Sequence, residues 1–81
     1  MNLVWTPREG VWYLVDTDRR FDRTLGSIKR IIDWGARPAD GCLKAEFTYR
    51  VNTRIPPKRF SPNDIDEAKR WLEVVATMAM S

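Results

Sequence analysis

The stretch CLKAEFTYRVN, residues 42–52, decides the reading of the fold. Leu43, Ala45, Phe47, Tyr49 and Val51 alternate with Lys44, Glu46, Thr48 and Arg50. Period two is the side-chain period of an extended strand, so the first set faces a core and the second faces water. A half-buried antiparallel strand over residues 42–52 is expected.

Downstream lies FSPNDIDEAKRWLEVVATMA, residues 60–79, which reads as a helix over 62–79. Ser61 is placed as N-cap, Pro62 at the first helical position and Asp64 three residues after the cap, a capping-box variant. Phe60 and Ile65 have the spacing of a hydrophobic staple. Ile65, Ala68, Leu72, Val75, Ala76 and Ala79 form an apolar stripe, which Trp71, Val74 and Met78 widen. Asp64, Asp66 and Glu67 favour the helix dipole. Between strand and helix runs RVNTRIPPKRF, residues 50–60, whose adjacent prolines make an extended, stiff link.

Upstream, LVWTPREGVWYLVD gives two β-prone runs, residues 2–6 and 11–16, around a PREG turn. Trp12 and Tyr13 must point to opposite faces of their strand, so either both faces of the sheet are covered or one aromatic is exposed. DTDRRFDR is a polar connection. TLGSIKRIID is ambiguous: Phe21, Leu25, Ile28 and Ile32 fall at helical spacing, whereas Gly26 and the isoleucines favour a strand. A strand over 24–33 is the preferred reading, and WGARPADG then supplies a turn. The whole chain, residues 1–81, reads as one α+β domain: an antiparallel three- or four-stranded β-meander with one C-terminal helix packed on one face. A core this small depends on each large side chain, so the tryptophans are expected to contribute to it.

Composition excludes several chemistries. The chain has no histidine, which removes the commonest general base and every Ser–His–Asp or Cys–His arrangement. Cys42 is the single cysteine, so no intrachain disulfide forms and the residue reads as chemically silent. Asp16 with Asp18, and Asp64 with Asp66 and Glu67, are explained by a strand end and a helix start rather than by metal binding. With no glycine-rich phosphate loop beside them, no catalytic residue, cofactor or metal site is expected. The opening MNLVWTPREG lacks a charged region followed by an apolar run, and VWYLV is too short to span a bilayer, so a cytoplasmic protein without membrane contact is expected.

The net charge of +3 is mild. Its most concentrated expression is Arg50, Arg54, Lys58 and Arg59, in a stretch free of acids. Arg19 and Arg20 are interleaved with Asp16, Asp18 and Asp22, while Lys29 and Arg30 add to the central segment. Cationic side chains converging on one track suit phosphates, and exposed aromatics beside them suit single strands. Lys44, on the water-facing side of its strand, and Trp34, beside a glycine in a turn, are further candidate contacts.

Gly10 with Trp12, Gly26 with Ile28, Trp34 with Ala36, and Ala68, Lys69 and Trp71 give a pattern that resembles small uncharacterised β-meander-plus-helix proteins of bacteria, phages and prophages. The chain departs from that pattern at TYRVNTRIPPKRF, which is longer than the usual link. The resemblance implies a non-enzymatic mobile-element accessory that binds a host protein or nucleoprotein complex, as anti-CRISPR proteins of this size do. Direct nucleic-acid binding through the basic 50–59 segment is the alternative. A homodimer formed through a strand edge or aromatic patch is the third reading.

Overall fold

The computed structural model describes residues 2–18, 22–31, 41–49 and 55–80. Its elements are β1 (Leu3–Arg8), β2 (Val11–Asp16), β3 (Arg23–Ile31), β4 (Cys42–Phe47), β5 (Lys58–Phe60) and α1 (Ile65–Met80). Each strand pairs antiparallel with its neighbour in sequence, giving the order β1-β2-β3-β4-β5. This is the expected α+β meander with a C-terminal helix, with five strands among the described residues where three or four were expected. The added strand is β5, inside the stretch read as a connector, which pairs Phe60 with Leu43, Arg59 with Lys44 and Lys58 with Ala45. Pro56 and Pro57 can donate no ladder hydrogen bond, so pairing begins with the first residue after them.

β4 carries the alternation that defined it: Leu43, Ala45 and Phe47 are buried, whereas Lys44 and Glu46 are partly exposed. The strand is shorter than expected because the backbone leaves the ladder after Phe47. The amides of Thr48 and Tyr49 both donate to the Leu25 carbonyl, at 2.9 and 3.0 Å. Tyr49 nevertheless packs against the core, and its hydroxyl accepts a 2.6 Å hydrogen bond from Arg23 Nη1. The expected strand ends at 32–33 and 50–52 and the expected turn at 34–40 lie outside the described residues.

β3 is a strand, and its register explains the helical spacing in its sequence. Leu14 pairs with Gly26 but Val15 pairs with Thr24, so Leu25 is the extra residue of a β-bulge. The bulge resets the two-residue parity, which lets Leu25 and Ile28, three apart, both enter the core. The β1–β2 connection is tighter than PREG suggested. Pro7 and Arg8 remain in β1, and only Glu9 and Gly10 turn, with φ of 52° and 78°. Two positive φ values in a two-residue loop fit a type I′ turn, which favours Asn-Gly. Glu9→Asn should therefore raise the unfolding free energy by about 0.5–1 kcal/mol, because Asn tolerates the left-handed region better than Glu. Urea denaturation followed by tryptophan fluorescence checks this, and an unchanged or lowered midpoint contradicts it.

α1 lies on the side of the sheet to which Leu43, Ala45 and Phe47 point, with Ala68, Leu72 and Ala76 fully buried against it. Alanines at two of these positions let the helix approach the sheet closely. The helix begins later than expected: the Asp64 carbonyl accepts from the Ala68 amide at 3.0 Å, which makes Asp64 the N-cap and Glu67 the third helical residue. Pro62 and Asn63 form a turn instead, closed by the Asp64 amide on the Ser61 carbonyl at 2.9 Å. Phe60 is consequently a strand residue, not a staple, and its ring meets Trp71 edge-on at 6.1 Å.

Val74 and Met78 do not widen the buried stripe; they are 52% and 72% exposed. They lie on the side of the helix turned away from Leu72, bordering shallow depressions that Leu3 and Phe60 line from the two edges of the sheet. The described tryptophans flank the core instead of filling it. Lys69 Nζ stands 3.7 Å from the Trp12 ring centroid and 5.7 Å from that of Trp5, and Trp5 Nε1 donates to Glu73 Oε1 at 2.7 Å. These contacts clamp the long β1–β2 hairpin to one flank of α1, while Phe60 and Trp71 join the other flank to β5.

Candidate binding face

Paired residues in a ladder share a face, so the register assigns each basic residue to a side of the sheet. Lys44 is flanked by buried Leu43 and Ala45 and therefore points away from α1. It pairs with Lys29 on β3 and with Arg59 on β5. Continuing the Trp12–Ile28 pairing by one residue sets Val11 beside Lys29, and Val11 pairs with Arg8. One rung of the sheet thus reads Arg8, Val11, Lys29, Lys44, Arg59. The next rung on the same face reads Thr6, Tyr13, Ser27, Glu46.

This arrangement is electrostatically costly. Directly opposed residues have Cβ atoms ~4.5–5.5 Å apart, and like charges at that spacing destabilise a sheet. The Glu46 carboxylate reaches Lys44 Nζ at 4.0 Å, the outer limit of an ion pair, and both side chains are more than a third exposed (35% and 38%). A pair of that kind contributes at most ~1 kcal/mol, and Arg59 is engaged in a contact of its own, so the repulsion along the rung is relieved in part. The opposite side of the molecule has the other sign at its helix start, where Asp64, Asp66 and Glu67 are exposed. Lys58, Lys69 and Arg70 lie close to these acids, so the helix side carries mixed charge, whereas the rung on the sheet face is basic.

The residues expected to act together are divided by this geometry. Arg59 joins the basic rung, whereas Lys58 points to the helix side, with Nζ 5.2 Å from the Phe60 ring centroid. There it borders a shallow depression lined also by Glu67, Arg70, Trp71 and Val74. Lys44 lies on the basic rung as a partly exposed residue. Arg19, Arg20, Trp34, Arg50 and Arg54 lie outside the described residues. Arg8, Lys29 and Tyr13 were not among the expected contacts. Arg8 was concealed by its reading as part of the turn, and the facing of Lys29 by the bulge, which hides the parity of β3. Tyr13 was legible only as one of two aromatics on opposite faces, and the structure gives Trp12 to the helix side and Tyr13 to the other.

The acids read as structural have structural work. Asp16 is 3% exposed, and its Oδ1 accepts from the amides of Asn2 at 3.3 Å and Asp18 at 3.0 Å, fastening the start of β1 to the end of β2. Cys42 is a half-buried free cysteine on β4, paired with Ile31. Among the described residues no helix is long and apolar enough to cross a membrane.

Fold and face together define a small α+β meander in which, among the described residues, α1 covers one side of the sheet and no element covers the other. No family model matches the sequence, and no curated protein or solved structure matches it.

Proposed function

We propose that this protein is a non-enzymatic binding module that receives a nucleic-acid backbone on the sheet face opposite α1. The observation that carries the reading is the rung of Arg8, Lys29, Lys44 and Arg59, aligned across the sheet in register. Opposed like charges lower stability, and a polyanion laid across them turns the same repulsion into attraction. The helix side carries Asp64, Asp66 and Glu67 among its cations, whereas the rung carries cations alone, which supports an approach with the sheet face foremost. The resemblance to phage and prophage proteins supports a host nucleoprotein complex as the setting, in which an anti-CRISPR-like inhibitor would meet that backbone.

The test is fluorescence anisotropy of labelled DNA and RNA at low and near-physiological salt, with the Lys29→Ala, Lys44→Ala, Arg59→Ala triple variant beside the parent. The parent should bind with an affinity that falls steeply with salt. The variant should bind at least tenfold more weakly at low salt, with a logarithmic salt slope shallower by about two to three, one for each lost phosphate contact. Its circular dichroism spectrum should match the parent's, so that lost binding reports the removed charges and not a lost fold. Arg70→Ala, on the helix, should bind like the parent. Absence of binding at low salt, or equal binding by the triple variant, removes this reading.

A further inference from the structure

We infer that the ligand of this face is a single strand, lying across the sheet with one base stacked on Tyr13, and this rests on the polyanion reading above. Tyr13 is placed for such a contact. It sits on β2 in the rung beside the basic one, between Thr6 and Ser27. Both neighbours are short side chains; Tyr13 is itself partly exposed, and Ser27, at 5% exposed, lies beneath the side chains around it. Lys29 follows Ser27 by two residues and is therefore a diagonal neighbour of Tyr13, at roughly 7–8 Å in a regular ladder. An aromatic face and a cationic rung lie side by side, which is the combination that holds bases and backbone of a single strand.

The other described aromatics are engaged elsewhere. Trp5, Trp12, Phe47, Phe60 and Trp71 pack on the helix side, and the Tyr49 ring lies under the Arg23 guanidinium at 5.5 Å. Among the described residues Tyr13 is thus the stacking surface of the open face, and one ring takes one base.

Dimensions argue against a duplex. Neighbouring strands lie about 4.8 Å apart, so the basic rung spans about 19 Å from β1 to β5. The major groove is about 12 Å wide and admits a helix or a two-stranded ribbon, which a five-stranded sheet exceeds. A duplex would meet this face by its phosphates alone and leave Tyr13 without a partner, because paired bases offer no free ring face. A single strand offers its bases to the ring and its phosphates to the rung at the same time.

The experiment compares four probes of matched charge: a labelled single-stranded oligonucleotide, an abasic strand of the same length, a duplex and inorganic polyphosphate. Each is titrated with the parent, Tyr13→Leu, Tyr13→Phe and the triple alanine variant. Single-strand binding should weaken roughly tenfold in Tyr13→Leu with the salt slope unchanged, and should persist in Tyr13→Phe, which keeps the ring. Duplex, abasic and polyphosphate binding should be the same in the parent and in Tyr13→Leu. If the triple variant loses binding but Tyr13→Leu retains the parent's single-strand affinity, or the abasic strand binds as tightly as the base-bearing one, the stacking inference is overturned while the polyanion reading stands. If the parent binds none of the probes, both fall. Circular dichroism of Tyr13→Leu guards against misfolding, and preserved polyphosphate binding by that variant is a second check that the face is intact.

Discussion

Gly26→Val should unfold this protein several degrees earlier, although valine is the better strand former. Intrinsic β-propensity predicts a gain of up to ~1 kcal/mol from placing a β-branched residue in a strand interior. Packing predicts the reverse. A Cβ at Gly26 would stand 2.5 Å from the Glu46 carbonyl oxygen and 3.0 Å from both Leu72 methyls. The methyls could shift, but the oxygen belongs to the β3–β4 ladder and cannot move without disturbing it. Overpacking of this kind costs about 1–3 kcal/mol for a single added group, and valine adds two further methyls to the first. We expect a loss of about 2 kcal/mol for Gly26→Ala and about 3 kcal/mol or more for Gly26→Val. In a domain of 81 residues each kcal/mol lowers the thermal midpoint by about 4–8 °C. The sign alone separates the two accounts: a midpoint that rises in Gly26→Val means that the Glu46 carbonyl and Leu72 do not crowd Gly26 as described.

Leu72→Ala attacks the same contact from the helix side. Leu72 is fully buried among Ala68, Ala76 and the sheet residues, with Trp71 and Val75 packed at the margin of the same cluster. Truncating a buried leucine costs about 2–5 kcal/mol, depending on how far the site collapses. Here the nearest helix residues on the buried stripe, Ala68 and Ala76, are small and the floor is a glycine, so about 3–4 kcal/mol is expected. A domain of this size has only ~4–12 kcal/mol in total. The double variant Gly26→Ala, Leu72→Ala should be less destabilised than the sum of the singles by about 1 kcal/mol, because the new methyl enters space that Leu72 vacated. Full additivity in chemical denaturation would show that the two residues do not touch. Cancellation of the whole glycine effect would show that the Glu46 carbonyl is not the main obstacle.

Much of this architecture can be read from local pattern. Strict alternation at Leu43, Ala45 and Phe47 forecast a one-faced strand, since a two-residue period has no other regular solution. The opposed facing of Trp12 and Tyr13 followed from the same period. The C-terminal helix followed from apolar spacing, although its start was displaced: Ser61 and Asp64 are both capable caps, and the sequence alone cannot say which one the chain uses. β5 was not legible, because a three-residue strand has too few side chains to show a period and borrows its conformation from β4. Val74 and Met78 looked like core for the converse reason, since hydropathy names an apolar residue without saying whether a partner surface lies opposite.

The candidate face divides along the same line. Which residues are basic, and that histidine chemistry is absent, the sequence determined by itself, because these are properties of single residues. Local alternation also settled which side of β4 carries Lys44. Only the tertiary structure decided that Lys29 and Arg8 join Lys44 and Arg59 on one rung, and that Lys58 leaves it. Cross-strand alignment depends on the Leu25 bulge, on a turn limited to Glu9 and Gly10, and on where pairing resumes after Pro57. Each shifts parity by a single residue. A one-residue shift moves a side chain to the other face of a sheet, so register, which is a property of pairs of strands, fixes the site.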